Sequence, residues 1–204
     1  MTSPALVGLL GKKRSGKDTF AEFLIERHGF VRVAFADPLR EAAIDADPFL
    51  VGPLLSDEPQ PLSAIVHVLG WEGLKDSKYA ESGRRFLQNY GVAIREIDPD
   101  FWLRAAERRI HAAIERGRSV VVTDVRFPNE ADGIEATGHW RNVGDGGVFV
   151  GGSLVRISRP GLVSTDVHVS ETALDDRLCG FHADNGGTLA DLGRAADSLV
   201  ESIR

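Results

Sequence analysis

The clearest chemistry in this chain lies in nine consecutive residues, Gly11-Lys12-Lys13-Arg14-Ser15-Gly16-Lys17-Asp18-Thr19. Two glycines with four residues between them, followed by lysine, fit the phosphate-binding loop G-x-x-x-x-G-K. Glycines let the backbone wrap closely, so that several N–H groups point inward at phosphate oxygens. The positive end of a following helix faces the same anion. Lys17 adds a mobile cation for the β- and γ-phosphates of a nucleoside triphosphate. Asp18 stands where Ser or Thr usually places a hydroxyl on Mg²⁺. A carboxylate is also an oxygen ligand, directly or through water, and Thr19 offers a hydroxyl beside it.

Other charged residues sit where a sheet would gather them. Val120-Val121-Val122-Thr123-Asp124 is an apolar run ending in a carboxylate. Asp124 therefore has the place of a Walker B acid near the loop's metal, or of a cap for the short helix after it. Arg126 and Glu130 follow on the same side of the sheet. Asp37, before Pro38, is either a plain helix cap or a ligand-side residue at a strand's carboxyl end. Arg84 and Arg85 are expected at a helix start, where positive charge is unfavourable. An anionic partner would explain them, since the guanidinium fork matches phosphate oxygens; a solvated surface pair is the alternative. Phe101 and Trp102 open a helix and serve as core or as a base contact. His168 with Glu171 is too sparse for a metal site. No Ser-His-Asp or Cys-His arrangement stands out.

These residues need elements to hold them. Ala5–Leu10 reads as a strand before the loop, and a helix is expected from Asp18 to His28, ended by Gly29. Val31–Phe35 reads as a second strand. Four prolines between Asp47 and Leu62 indicate irregular connection. A short helical pattern covers Leu62–Leu69, and polar, glycine-containing Gly70–Ser82 is expected to be exposed and mobile. Phe86, Leu87 and Tyr90 mark one face of the next helix. Asp98-Pro99 opens a helix to about Arg116, with Leu103, Ala106, Ile110, Ala113 and Ile114 inward. The β-branched Val120–Val122 run reads as a central parallel strand. Asp145-Gly146 marks a turn between Trp140–Val143 and Val148–Val150, a hairpin excursion. Ser153–Ser158 and Phe181–Asn185 are further strands. Thr188 caps a closing helix with Leu189, Leu192, Ala196, Leu199 and Val200 inward.

The 204 residues suggest one domain, and 43% hydrophobic residues suffice for a real core. The formal net charge of −6 argues against a dedicated nucleic-acid polymer binder, but a local cationic pocket for nucleotides remains compatible with it. A single cysteine, Cys179, excludes an intrachain disulfide and fits a reducing compartment. The leading apolar run is too short for a signal peptide's core or a membrane span. The expectation is a cytoplasmic protein without a membrane partner.

Taken together, several segments resemble the bacteriophage deoxynucleoside monophosphate kinases. The loop from Gly11 to Thr19 is similar, including its Asp. So are Arg84–Gln88 with Gly91, Asp100-Phe101-Trp102, Thr123–Arg126 with Glu130, Arg159-Pro160-Gly161, His168–Glu171 and Asn185–Leu189. The stretches 48–80 and 141–152 depart from the pattern. The resemblance implies an α/β fold with a P-loop NTPase-type parallel sheet flanked by helices. It implies one domain over 1–204, a mostly helical acceptor-side insertion over 48–98, and a lid at about 159–180. It further implies transfer of the γ-phosphoryl of ATP, with Mg²⁺, to a deoxynucleoside monophosphate. Lys13, Arg14, Gly16, Lys17, Asp18 and Thr19 would hold ATP and metal, with Asn185 near adenine. Asp37, Arg85, Gly91, Trp102, Asp124, Arg126 and Glu130 would line the acceptor site, and Asp124 would also serve the metal. Lys17, Lys13, Arg14 and Arg126 would carry the transfer, with Arg159 a lid-side cation. A homodimer and, for a phage-encoded chain, the host cytoplasm fit the same reading. The rivals are another P-loop small-molecule kinase, such as a dephospho-coenzyme A kinase, and a non-catalytic ATP-dependent switch.

Overall fold

The structure, a computed structural model, describes residues 3–143, 146–162 and 172–203. In chain order the elements are β1 (Leu6–Leu10), α1 (Lys17–His28), β2 (Val31–Val33), α2 (Ala36–Ala46), β3 (Phe49–Leu50), β4 (Gln60–Pro61), α3 (Leu62–Lys75), α4 (Ala80–Ile97), α5 (Phe101–Glu115), β5 (Val120–Val122), α6 (Pro128–Ala136), β6 (Gly138–Val143), β7 (Gly146–Gly151), β8 (Ser153–Ser158), β9 (Phe181–Asp184) and α7 (Leu189–Ile203). Two compact units emerge: Met1–Phe35 with Ala105–Arg204, and Ala36–Arg104.

The first unit is built on a five-stranded sheet in the order β2-β5-β1-β8-β9. Every neighbouring pair is parallel. A parallel sheet needs cover on both faces, which is why β1 and β5 are continuous apolar runs buried throughout. Alternate residues divide between the faces. Val7, Leu9, Val121, Val155, Ile157 and Ala183 pack with Phe20, Ala21 and Leu24 of α1 and Leu192, Ala196, Leu199 and Val200 of α7. Helix α6 packs on β1 and β8. The helices run as the sequence indicates, with one exception on α7: Leu189, expected inward, is 63% exposed. It is the first residue of the helix, before the buried stripe begins. Thr188 caps α7 reciprocally. Its hydroxyl accepts from Asp191 N–H at 3.2 Å, while Asp191 accepts from Thr188 N–H at 2.7 Å. The Thr188 hydroxyl also donates to the Asp191 carboxylate at 2.7 Å, and that bond, followed by the one from Thr188 N–H and with Arg194 adding to them, holds the carboxyl below its usual range. The excursion after α6 is the expected hairpin: β6 pairs with β7 from Gly138↔Gly151 to Val143↔Gly146, and Asp145 lies outside the described residues.

The second unit has its own core of Ala43, Leu50, Leu62, Ile65, Leu74 and Tyr79, with Trp71, Phe86, Leu87 and Tyr90 against it. Here two sequence expectations fail. The proline-rich connection contains a short antiparallel pair, Phe49↔Pro61 and Leu50↔Gln60. Asp47 organises its exit, accepting from Ser63 N–H at 2.8 Å and Ser63 Oγ at 2.9 Å. Gly70–Ser82 is not an exposed loop. Helix α3 bends at Gly70 (φ 67°, ψ 172°) and continues to Lys75, and α4 begins at Ala80. Leu74 and Tyr79 within that stretch are buried, so their burial outweighs the glycines' helix-breaking tendency. Among the described residues no helix is long and apolar enough to cross a membrane.

Leu24 is fully buried between the sheet and α7. Leu24→Ala should cost about 2–5 kcal/mol of unfolding free energy, read from the midpoint shift in a urea titration.

Candidate phosphate-binding site

The order of the strands dictates where a ligand can sit. From β1 the chain passes to one side of the sheet, to β2 and then β5; it then crosses to β8 and β9 on the other side. The connections after β1 and β8 thus leave in opposite directions, and the carboxyl ends of these two neighbours flank a crevice, the usual ligand position in an open α/β sheet. A cavity of about 200 Å³ lies there, lined by Gly11, Lys12, Ser15 and Lys17 from the loop and by Ile157, Ser158 and Arg159 from the end of β8.

The loop is held open by backbone geometry. Gly11 (φ 144°), Arg14 (φ 65°) and Gly16 (φ 102°) all lie in the positive-φ region. A Cβ at Gly11 would collide with the Ile157 carbonyl, and one at Gly16 with the Asn185 amide. Both glycines are therefore demanded twice, by conformation and by close approach. Gly16 caps α1, whose first residue is Lys17, so the positive end of a twelve-residue helix begins at the loop. Lys17 Nζ donates to the carbonyls of Gly11 at 2.7 Å and Lys12 at 2.8 Å. Ser15 is 1% exposed, lines the cavity, and its hydroxyl makes no hydrogen bond among the described residues. A buried hydroxyl left this way is costly unless a further polar group meets it, and an anion's oxygen in the cavity would do so.

Charge on the cavity wall is strongly one-sided. Among the described residues, Lys12, Lys17, Arg126, Arg156 and Arg159 line it, against the one carboxylate of Asp175. In a chain whose net charge is −6, that concentration of cations suits a polyanion.

Comparison with known proteins then fixes the lineage. No family model matches the chain. It is 32% identical over 184 residues to the "Putative deoxynucleotide monophosphate kinase" of Acanthamoeba polyphaga mimivirus, covering 83% of this chain and 81% of that protein. The chain belongs to this family of P-loop kinases. An uncharacterized protein, ORF77, of Ictalurid herpesvirus 1 is 35% identical over 97 residues, 46% of this chain and 37% of the viral protein. Among solved structures, dephospho-CoA kinase from Campylobacter jejuni matches with a TM-score of 0.50 at 13% identity, over 99% of this chain and 98% of that one, a likeness of fold alone.

In this kinase the residues singled out from sequence fall into distinct surroundings. Lys13 and Arg14 are exposed and are not among the cavity's lining residues, whereas Lys12 and Lys17 are. Asp18 is exposed in the first turn of α1, with half-buried Thr19 next to it. Asn185, expected near adenine, donates through Nδ2 to the Ser15 carbonyl at 2.9 Å and braces the loop. Asp124 is half-buried and accepts from Phe35 N–H at 2.7 Å, tying the exit of β2 to the end of β5. Glu130 was expected to meet the acceptor. It is 2% exposed, and its Oε2 accepts from Arg126 N–H at 2.8 Å and Phe127 N–H at 3.1 Å, so it fastens the start of α6. Among the described residues no cluster of three or more His, Cys, Asp or Glu could by itself hold a metal ion.

The second unit carries Asp37, Arg85, Gly91 and Trp102. Asp37 lies inside the first turn of α2, which begins at Ala36, rather than at its cap, 3.9 Å from Arg40. Helix α4 begins at Ala80, so Arg84 and Arg85 stand in its second turn and the helix-start argument for an anion partner fails. Trp102 is 2% exposed and its indole N–H donates to the Gly91 carbonyl at 3.2 Å. It packs edge-on against Tyr90 and Phe101, so the core reading prevails for Trp102 and its partner Gly91. The expected lid at about 159–180 has residues 163–171, including His168 and Glu171, outside the described residues.

Arg156 escaped the sequence reading. The available signal was a guanidinium within an otherwise apolar parallel strand, Leu154-Val155-Arg156-Ile157. Its Nη2 donates to the carbonyls of Leu174 at 2.7 Å and Arg177 at 2.8 Å. Burial pushes the nearby Cys179 thiol up, which keeps it protonated and unreactive near neutral pH.

Gly16→Ala should leave the chain folded, by circular dichroism, and weaken nucleotide binding by calorimetry roughly 10²-fold, because the loop cannot hold its geometry with a Cβ there.

Proposed function

We propose that this chain is an ATP-dependent kinase that transfers the γ-phosphoryl group to a deoxynucleoside monophosphate, giving ADP and the deoxynucleoside diphosphate. The observation that carries this reading is the cationic cavity at the crevice between β1 and β8, floored by the glycine loop. The named activity of the mimivirus relative supports the choice of acceptor.

The acceptor's phosphate is already ionised at neutral pH, since a phosphomonoester's second pKa is about 6. No strong general base is needed, and catalysis reduces to alignment and charge neutralisation. Loop amides, Lys17 and the α1 terminus hold the donor phosphates, and the Ser15 hydroxyl donates to one of their oxygens. Arg126 receives the acceptor's phosphate; Lys13 or Arg14 is assigned to the transferring group, with Arg159 a lid-side cation. Asp37 and Arg85 are assigned to the acceptor nucleotide, and residues 48–98 are assigned as the acceptor-side insertion. Segment 159–180 is assigned as the lid.

Mg²⁺ fits this donor set. An ion that rides on triphosphate oxygens and water needs only one or two protein oxygens, and Asp18 and Thr19 offer these beside Lys17, with Asp124 a further carboxylate at the end of β5. Bound there, it would neutralise charge on the donor phosphates.

An acceptor panel read by coupled ADP detection tests the assignment: the four deoxynucleoside monophosphates, their ribo counterparts and dephospho-coenzyme A. Deoxynucleoside monophosphates should stimulate ADP release. Stimulation by dephospho-coenzyme A alone, or by no acceptor, would overturn it. Lys17→Ala should abolish turnover with the fold intact, and Arg126→Ala should lower kcat/KM for the acceptor by roughly 10²–10³.

A further inference from the structure

The loop's first lysine has no counterpart in the roles assigned above. Lys12 lines the cavity, and its Nζ meets Asp175 Oδ1 at 2.5 Å. The carboxylate does not hang on a loose surface chain. Asp175 N–H donates to the Thr172 carbonyl at 3.1 Å and Arg177 N–H to the Leu174 carbonyl at 3.1 Å, forming a turn. Arg156 staples this turn to the sheet through the Leu174 and Arg177 carbonyls. Arg177 bolts its other end to α6, pairing with Asp132 at 2.7 Å and with Glu135. The fold thus holds a carboxylate at a wall where, among the described residues, every other charged side chain is a cation.

We propose that Lys12 is a further phosphate-binding residue of this site, and that Asp175 is its counter-ion until a polyphosphate enters. The idea rests on the phosphate-site reading and deepens it. The physical argument is one of exchange. Four other cationic residues line the cavity with Lys12, and among the described residues Asp175 is the carboxylate that relieves their mutual repulsion. A triphosphate brings several negative charges to the same wall. It repels Asp175 and offers Lys12 a more highly charged partner. The Lys12 and Asp175 side chains are 31% and 47% exposed, so their pair is weak enough to be given up. Asp175 then sets how tightly the donor is held, by competing for one of its cations.

The test uses the full chain and titrates inorganic tripolyphosphate and ATP by calorimetry into wild type, Lys12→Ala, Asp175→Asn and the double variant. Thermal melts in the same buffer confirm folding, and Lys12→Gln repeats the first variant without shortening the side chain to a methyl group. Lys12→Ala should weaken tripolyphosphate roughly tenfold. Asp175→Asn should tighten it roughly threefold, and that gain should vanish in the Lys12→Ala background. Unchanged or weaker binding by Asp175→Asn would overturn the counter-ion role. An equal gain in the double variant would make Asp175 a general field effect and overturn the pairing. No loss in Lys12→Ala and Lys12→Gln would overturn the phosphate contact. Each of these leaves wild-type binding intact; a wild type that binds neither probe would instead bring down the phosphate site and this proposal with it.

Discussion

One constraint governs this molecule: several main-chain N–H groups must converge on a single anion, and L-residues resist the backbone path that achieves it. The path needs positive φ at Gly11, Arg14 and Gly16 within six residues. Glycine meets that demand at two of the three positions, and Arg14 carries the strain of the third. The conformation is held from outside. Asn185, from the end of β9, grips the Ser15 carbonyl, and the Ile157 carbonyl presses where Gly11 has no Cβ. A ring of main chain with this shape survives only because β1, β8, β9 and α7 are packed rigidly around it.

The second organising fact is the separation of charge from composition. The chain is acidic overall, yet the crevice between β1 and β8 gathers lysine and arginine. Parallel strands all deliver their carboxyl ends to one edge, so residues far apart in sequence arrive together: Lys12 and Lys17 after β1, Arg126 after β5, Arg159 after β8. Much of the negative charge pairs away from that crevice, as Asp57 does with Lys78 or Asp197 with His28 and Arg27. Those pairs hold both carboxyls below their usual range: Asp57 chiefly through its bond to Lys78, Asp197 chiefly through its bond to His28.

Buried polar groups in this structure often turn out to be scaffold. The family resemblance implied an acceptor-side role for Glu130; in the structure its carboxylate accepts from two backbone N–H groups. The signal was local and present, a Pro-Asn-Glu opening in which the third helical residue is acidic. Trp102 spends its indole on the Gly91 carbonyl across a helix pair, which no local pattern announces. Asn185 is the same kind of case, with donor and acceptor 170 positions apart in sequence.

By itself, the sequence determined the phosphate loop and the strands and helices of the first unit. Each of these rests on short-range rules: glycine spacing, unbroken apolar runs, the 3.6-residue period, and caps such as Thr188. Tertiary structure alone decided that Lys12, rather than Lys13 or Arg14, lines the cavity, that Arg156 staples the Asp175 turn, and that Gly70–Ser82 folds into helices. The physical reason is the same throughout. A side chain's partner is set by which strand end or helix face the topology brings within about 3 Å of it, and that distance is not written in the spacing of neighbours along the chain.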